Sequence, residues 1–498
     1  MQTSRWRENL LALVAGAVMP LAFAPVSLFP FSLLSLALLF NLWLNNPAAR
    51  RSAVLGFYFG IGLFAVGVSW VFVSMHNFGN MSAPLAVFAT VLFIAPLALY
   101  VAAVGWLQAQ FSSMPAFWRL LLVMPSLWVL VEWIRSWLLT GFPWLTVGYS
   151  QTTLPLSGYA IWLGVFGVSF MVAGSAGLLL MWWRRGWRSG WRFGAVLLAL
   201  WIGGAVSSLP GWVSPAGNPV RVALVQGNVP LKIKWDPNYR KDILDLYLRL
   251  SRDYRDADLI VWPEGALPLA LEKMPPGFEK SVRAEARNFK TDFLFGTVSQ
   301  QVIEGRLQYF NTVASIGRVD GQYRKRHLVP FGEYPPLKPL FSWLLNAMNI
   351  PMSDFSRGDD DQRPLQLAGN PVGISVCYET AFGNEIIDVL PEATMLINVS
   401  ENAWFGRSFG PHQLLQMTQM RAIETGRPIM RADNAGLSAA VDHRGRVVAV
   451  SPQFQQSVLA VSVQPMTGST PYVRFGDWPI ITLMLLLLTG LWWRKNTH

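Results

Sequence analysis

Three reactive side chains follow strand-like apolar runs in the second half of the chain: Glu264, Lys325 and Cys377. Cys377 is the only cysteine among 498 residues, so a disulfide within the chain is excluded. It ends the apolar run 372–376, and a strand that delivers a thiol to the edge of a sheet can present a nucleophile. A lone cysteine is more often a small buried core residue. The presence of Glu264 and Lys325 after other apolar runs favours a functional thiol.

These side chains supply the groups that attack on a carbonyl carbon requires. Such a reaction needs a thiolate, a base, and a cationic or N–H group for the developing oxyanion. We expect Cys377 to be the nucleophile and Glu264 to be the base, with a pKa that an apolar site raises. We expect Lys325 and the backbone N–H of Tyr378 to stabilise the oxyanion, and Glu333 to orient the lysine or the base. The residues alone therefore predict thiol-dependent acyl transfer or amide hydrolysis.

Short apolar runs between residues 219 and 470 must position these side chains as strands. Runs such as 220–226, 259–263, 372–377 and 394–399 are separated by polar stretches, several of them compatible with helices. This alternation is typical of an α/β domain whose sheet is covered on both faces.

The charge distribution sets this domain apart from the first 218 residues. Ten arginines and two glutamates, with no lysine or aspartate, give that part +8, so +3 of the total +11 remains for the other residues. A pI near 9.9 can indicate nucleic-acid binding, but these arginines lie between apolar runs, as in the loops of membrane proteins. We therefore expect a membrane and no nucleic-acid partner.

Eight apolar runs are long enough to cross a bilayer, which takes roughly 17–25 residues. Basic residues lie in every second loop between these runs and next to both termini. The positive-inside rule places such segments in the cytoplasm, so both termini are cytoplasmic and residues 210–475 lie outside the cytoplasm. The predicted organisation is a seven-helix membrane domain (1–209), a linker (210–218), a catalytic domain (219–470) and a final helix (476–493). The predicted spans are 9–25, 28–45, 53–74, 83–109, 120–138, 159–183, 193–209 and 476–493.

Other polar residues carry weaker signals. The five histidines show no metal-ligand spacing, so we expect no metal and no cofactor. Glu132 and Arg135 lie one helical turn apart in the fifth span. A carboxylate within a membrane is a functional candidate, but an i,i+3 ion pair that anchors the helix explains both residues equally well.

Five motifs, taken in order, resemble the nitrilase superfamily of carbon–nitrogen hydrolases. The whole arrangement, with seven spans before such a domain and one after it, is similar to the apolipoprotein N-acyltransferase family. Each motif alone is weak, but their order within this topology makes the resemblance specific. The motifs are 262–264 (WPE), 324–334 (RKRHLVPFGEY), 377–379 (CYE), 402–406 (NAWFG) and 421–428 (RAIETGRP).

This resemblance implies a multi-pass α-helical protein of the bacterial inner membrane, with an α-β-β-α sandwich domain outside the cytoplasm. It implies a ping-pong reaction in which Cys377 takes a fatty acyl chain as a thioester from a phospholipid, usually phosphatidylethanolamine. The α-amine of a diacylglyceryl-modified N-terminal cysteine of an apolipoprotein then accepts the chain as an amide. The resemblance also implies catalytic positions for Glu264 and Lys325 and a supporting position for Glu379. Glu401, just before the fourth motif, is assigned no catalytic role.

Apolar side chains in the segment 334–350 predict contact with lipid. This segment is too apolar for an ordinary water-exposed loop, and too short and proline-broken to span a bilayer. We expect it to dip into the outer leaflet and admit lipid tails, with packing on the domain core as the alternative. The candidate substrate-binding residues, here and in other segments, are Trp235, Phe341, Trp343, Leu344 and Trp404.

Two alternatives to acyl transfer stay open. A membrane-tethered amidase would use water in place of the amine acceptor. A transporter or lipid-binding protein would carry an inactive outer domain, but the intact Glu264, Lys325 and Cys377 argue against it. A transporter would also be expected to show inverted repeats and broken helices, which the sequence lacks.

Overall fold

Helices form at each of the eight predicted apolar segments. The computed structural model describes residues 2–186, 188–209, 211–335 and 354–497, with side chains from residue 5 onward. Among these residues, four helical stretches are long and apolar enough to cross a membrane: Ala49–Gly67, Ala83–Ala109, Ala116–Thr140 and Pro155–Arg185. The helices at the eight segments are Gln2–Val18, Pro30–Asn45, Ala49–Gly67, Ala83–Ala109, Met124–Trp137, Ala160–Arg185, Trp191–Ser207 and Trp478–Thr497.

Helix ends differ from the predicted spans where the backbone cannot continue. The first helix begins at Gln2. It ends at Val18, because Pro20 lies in the following 3₁₀ turn, Met19–Ala22, and has no N–H to donate. The third ends at Gly67, and a Cβ at that position would lie 2.3 Å from Leu145 Cδ1. Hydropathy alone contains neither constraint.

The region after residue 211 contains two six-stranded sheets within the described residues. The strands of this region are β1 (Val213–Pro215), β2 (Val220–Gln226), β3 (Leu259–Val261), β4 (Asp292–Ile303), β5 (Arg306–Ile316), β6 (Gly321–Arg324), β7 (Leu365–Leu367), β8 (Asn370–Val376), β9 (Met395–Ser400), β10 (Ile429–Asp433), β11 (Ala439–Val441), β12 (Val447–Val450), β13 (Ser457–Val463) and β14 (Met466–Gly468). The two sheets have the strand orders β13-β2-β3-β4-β5-β6 and β12-β11-β10-β9-β8-β7, and within them β2, β3 and β4 are parallel, as are β8, β9 and β10.

Alternating side chains pack the two sheets face to face. Val222 and Leu224 of β2 share one apolar cluster with Ile374 and Val376 of β8. The opposite face of the first sheet packs on the helices Arg240–Ser251 and Pro276–Phe289, and that of the second on Gly410–Thr425. The layers are therefore α-β-β-α, as the resemblance implied.

The helix Gly410–Thr425 fixes the sandwich to the membrane helices. Ala422 packs with the outer face of the second sheet, whereas Leu414 and Met420 belong to the core of the membrane helices. Its Glu424 Oε1 accepts a hydrogen bond of 2.7 Å from the N–H of Val165. The core of the membrane helices therefore extends onto one face of this helix of the sandwich domain.

The junction depends on a bend at Gly164. This residue has φ +65° and ψ −173°, and a Cβ would lie 2.3 Å from Cε2 of Tyr472. We expect Gly164→Ala to destabilise the protein by at least about 1–3 kcal/mol, because the conformation is essentially restricted to glycine. Thermal unfolding in detergent should show a lower melting temperature. Gly174→Ala, in the same helix with nothing within 4 Å of the added Cβ, is the matched control and should be neutral. Equal effects of the two variants would contradict this explanation.

Candidate active site

Cys377 lies at a sharp turn directly after β8. Its φ is +51°, a left-handed conformation that non-glycine residues rarely adopt. The 3₁₀ helix Cys377–Ala381 begins at this turn, and the cysteine side chain is partly exposed. The turn therefore places Cys377 at the end of the strand, partly exposed and in contact with the apolar cluster between the two sheets.

Glu379 holds this turn in place. Its buried carboxylate accepts hydrogen bonds from the N–H of Val376 at 2.6 Å and from the hydroxyl of Tyr323 at 3.0 Å. It also accepts from the N–H groups of Arg326 (2.6 Å) and His327 (3.0 Å). The predicted supporting residue thus ties the cysteine turn to the segment that follows Lys325.

Lys325 follows β6, and its side chain is only 1% exposed. Its Nζ lies 2.9 Å from Glu333 Oε2 and 3.8 Å from Glu264 Oε1. Burial alone would lower the pKa of Lys325, but Glu333, Glu264 and Cys377 together raise it above its ordinary value. The ammonium therefore stays charged in a site with little water.

Glu264 follows β3 in a loop that lies against Gly296. A Cβ on Gly296 would lie 2.5 Å from Cα of Glu264, so only glycine permits this approach. Asn311 Nδ2 donates to Glu264 Oε1 and to Glu333 Oε1, both at 2.7 Å. The other oxygen, Glu264 Oε2, has no hydrogen-bond partner among the described residues and is free to accept a proton.

Burial dominates the electrostatics of the carboxylate and the thiol. It raises the pKa of Glu264, with Glu333 adding to the shift and Lys325 opposing it. Burial, reinforced by Glu264, also raises the pKa of Cys377 to about 12, against the opposing charges of Lys325 and Arg431. The resting cysteine is therefore a neutral thiol, and it needs a base to remove its proton.

Sequence reasoning missed Asn311, Arg431 and Asn398. Arg431 of β10 is fully buried, and its Nη1 donates to Asn398 Oδ1 of β9 at 3.1 Å. Asn398 Nδ2 donates in turn to the carbonyl oxygen of Cys377 at 3.4 Å. The sequence signal that could have identified these residues is a polar side chain within a predicted strand.

Tyr378 connects the cysteine turn to the membrane helices. Its hydroxyl donates to the carbonyl oxygen of Gly141 at 2.8 Å, and its ring stacks on Trp144 with centroids 5.8 Å apart. Arg135 Nη1 donates to the carbonyl oxygen of Trp144 at 2.5 Å, and Glu132 Oε1 accepts from the N–H of Val147 at 2.8 Å. Each of the two membrane residues therefore supports the loop that packs on Tyr378.

The structure describes two of the five candidate substrate-binding residues, Trp235 and Trp404. Trp235 and Trp404 are 51% and 41% exposed. The ring of Trp235 lies beside Gly265, next to Glu264, and Trp404 packs against Phe78 with centroids 6.4 Å apart. Trp235 therefore lies near the loop that carries Glu264, whereas Trp404 contacts the membrane half. Phe341, Trp343 and Leu344 lie outside the described residues.

Two family models match the chain, one in each half. Residues 221–472 match the carbon-nitrogen hydrolase family, the class that the sandwich and its cysteine turn define, and residues 15–178 match the apolipoprotein N-acyltransferase N-terminal domain. A carbon-nitrogen hydrolase structure from Helicobacter pylori aligns with 53% of this chain and 94% of its own, at 16% identity and a TM-score of 0.37.

Curated relatives match almost the whole chain. An apolipoprotein N-acyltransferase of Methylococcus capsulatus is 44% identical over 96% of this chain and 94% of the relative. One of Nitrosomonas europaea is 44% identical over 97% of this chain and 96% of the relative. The chain belongs to the apolipoprotein N-acyltransferase family, which confirms the family that the five motifs predicted.

The charges around Glu264 predict a shift in pH dependence. We expect Glu264 to act as the base for thioester formation at Cys377, so the rate should fall as the pH drops through the raised pKa of that carboxyl. Glu333 contributes to the raised pKa. Glu333→Gln should therefore lower the maximal rate, because Lys325 loses a partner, and should also move the acid limb to lower pH. A stopped assay across pH measures both effects, with exposed Glu304→Gln as the control. An acid limb that moves to higher pH would contradict the assignment of the base.

Proposed function

We propose that the protein transfers a fatty acyl chain from a phospholipid to the N-terminal α-amine of a diacylglyceryl-modified apolipoprotein. The observation that carries the proposal is that Cys377, at its turn, interacts electrostatically with the buried Glu264 carboxylate and the buried Lys325 ammonium, which also pair with each other. The names of the relatives, which match 96–97% of the chain, supply the substrate class.

The first half-reaction is acylation of the cysteine. Glu264 Oε2 takes the proton from the Cys377 thiol as the sulfur attacks the carbonyl carbon of the phospholipid ester. The charge that develops on the carbonyl oxygen is stabilised by the Lys325 ammonium and the N–H of Tyr378. Collapse breaks the ester C–O bond, and Glu264 returns the proton to the departing lysophospholipid oxygen.

The second half-reaction is aminolysis of the thioester. The neutral α-amine of the apolipoprotein attacks the thioester carbonyl and loses a proton to Glu264. The same cation stabilises the second oxyanion, because its position relative to the carbonyl oxygen is unchanged. Collapse breaks the C–S bond, and the proton on Glu264 passes to the Cys377 sulfur, which restores the starting thiol.

The surroundings of the site support a lipid donor. Trp235, beside Gly265, and Trp404, against Phe78 of the membrane half, offer exposed apolar surface, and Phe405 packs on Trp70 of the same half with centroids 4.7 Å apart. These contacts with the membrane half support a phospholipid, such as phosphatidylethanolamine, as the donor. An amidase would have no need of this proximity.

The location follows from the same arrangement. We infer that the eight helices span the bacterial inner membrane, with both termini in the cytoplasm and the sandwich domain in the periplasm. Clustered arginines after the helices Pro30–Asn45 and Ala160–Arg185 support this orientation.

Covalent chemistry at Cys377 is directly testable. Incubation of the purified protein with phosphatidylethanolamine should add one fatty acyl mass, which hydroxylamine removes because it cleaves thioesters. Cys377→Ala should eliminate the adduct and all turnover. Intact-protein mass spectrometry measures the adduct, and thermal unfolding checks that the variant is folded. Acylation that persists in Cys377→Ala would refute the role of the thiol.

Acyl transfer differs from hydrolysis in the lifetime of the thioester. An acyltransferase must keep water from its intermediate, so the acylated protein should persist in buffer and discharge when a diacylglyceryl-cysteinyl peptide is added. The same peptide with an acetylated α-amine is the matched control and should not accelerate discharge. Fast hydrolysis that is indifferent to either peptide would favour the amidase.

The orientation can be tested by cysteine labelling in a Cys377→Ala background. Ser189→Cys, after the helix Ala160–Arg185, should resist a membrane-impermeant maleimide in intact cells. Gln301→Cys, at the exposed end of β4, should react. Labelling of Ser189→Cys before cell lysis would mean that the true topology is the reverse of the proposed one.

A further inference from the structure

A second buried ion pair lies beside Glu264 and takes no part in the steps above. The side chains of Lys234 and Glu401 are 3% and 8% exposed, and Lys234 Nζ contacts Glu401 Oε2. Lys234 Nζ also donates to the main-chain carbonyl oxygen of Glu264 at 2.8 Å. The pair therefore holds the backbone of the proposed base, Glu264, through this hydrogen bond.

The same pair joins the two segments that carry the exposed tryptophans. Trp235 follows Lys234 at the end of the short helix Leu231–Lys234. Glu401 caps the 3₁₀ helix that contains Trp404, since Glu401 Oε1 accepts from the N–H of Ala403 at 3.2 Å. One ion pair thus connects the proposed base with the segments that carry Trp235 and Trp404.

Asn434 completes this connection. Its Nδ2 donates to Glu401 Oε2 at 3.0 Å and to the carbonyl oxygen of Val229 at 2.8 Å. Its Oδ1 accepts from the N–H of Val229 at 3.0 Å. The residues ahead of Lys234 are therefore attached to the same carboxylate as Lys234 itself.

A buried ion pair is weak as a source of stability, because the cost of removing two charges from water offsets their attraction. An apolar pair of similar volume would often be neutral or more stable. An apolar pair cannot form the directional hydrogen bonds that this ion pair makes to three separate segments. The geometry therefore favours a role in alignment.

We propose that Lys234 and Glu401 are positioning residues that hold the Glu264 backbone and the Trp235 and Trp404 segments in register while the two substrates exchange. This proposal rests on the proposed function for the identity of the base. It assigns to Glu401 a role that its sequence position did not indicate.

The charges around Glu264 give the proposal a kinetic signature. The groups that face Glu264 are the ammoniums of Lys325 and Lys234, the carboxylate of Glu333 and the thiol of Cys377. Burial raises the pKa of Glu264 most, and Lys234 is the weaker of the two cations that lower it. Removal of Lys234 should therefore raise this pKa and move the acid limb of thioester formation to higher pH.

The test compares Lys234→Met with Lys232→Met in the full-length protein, with phosphatidylethanolamine in mixed detergent micelles as the donor. Lys232 is exposed on the same short helix and is the matched control. We expect Lys234→Met to lower kcat for thioester formation by roughly 10-fold or more, since small misplacements of catalytic groups are costly. Its acid limb should move to higher pH, and Lys232→Met should behave as wild type. An unchanged rate and pH profile in Lys234→Met would overturn the proposal.

The double variant Lys234→Met/Glu401→Leu separates alignment from folding. It leaves no uncompensated buried charge, so its melting temperature should recover relative to Lys234→Met while thioester formation stays slow. Recovery of both would show that the pair is only structural and would overturn the proposal.

Hydrogen exchange supplies a readout that needs no substrate. Amide exchange in residues 229–235 and 401–405 should be faster in the double variant than in wild type, and unchanged exchange would also count against the pair. Because this readout is independent of acylation, a wild-type protein that forms no thioester would contradict the proposed function alone.

Discussion

The buried ammonium of Lys325 is the interaction on which the site depends. A charge removed from water costs several kcal/mol unless it is paired, and here carboxylate oxygens of Glu333 and Glu264 lie 2.9 and 3.8 Å from Nζ. Two carboxylates on one cation leave negative charge in excess. That excess and burial keep the Cys377 thiol neutral and make Glu264 a stronger base. The residues proposed as nucleophile, base and oxyanion partner therefore belong to one cluster of interacting charges.

The fold brings this cluster together from strand ends that are far apart in sequence. Glu264 follows β3, Lys325 follows β6 and Cys377 follows β8, so both sheets contribute to the site. Tyr378 and the helix Gly410–Thr425 extend the same rigid frame into the membrane half. A soluble sandwich would only need to enclose its substrate. This one is fixed in orientation against helices that adjoin the lipid from which the acyl chain is proposed to come.

Sequence reasoning found the groups that end apolar runs and missed the groups that lie inside them. Glu264 and Cys377 could be identified because a run of strand residues stops at each. Asn311 lies within β5, and only the tertiary fold brings its amide to the two carboxylates, which follow β3 and β6. The Lys234–Glu401 contact joins residues 167 positions apart, which no local pattern encodes. Hydropathy likewise located the helices, whereas Pro20 and the packing at Gly67 determined where two of them end.

A double-mutant cycle on thioester formation tests the central claim that Lys325 and Glu264 act as one unit. Glu264→Gln and Lys325→Met should each lower the rate by at least about 10²-fold, the usual cost of losing a general base or an oxyanion donor. The double variant should be hardly slower than the slower single variant, because each substitution already disables the shared transition state. Losses that simply add in free energy would mean that the two groups act separately, and would contradict the account.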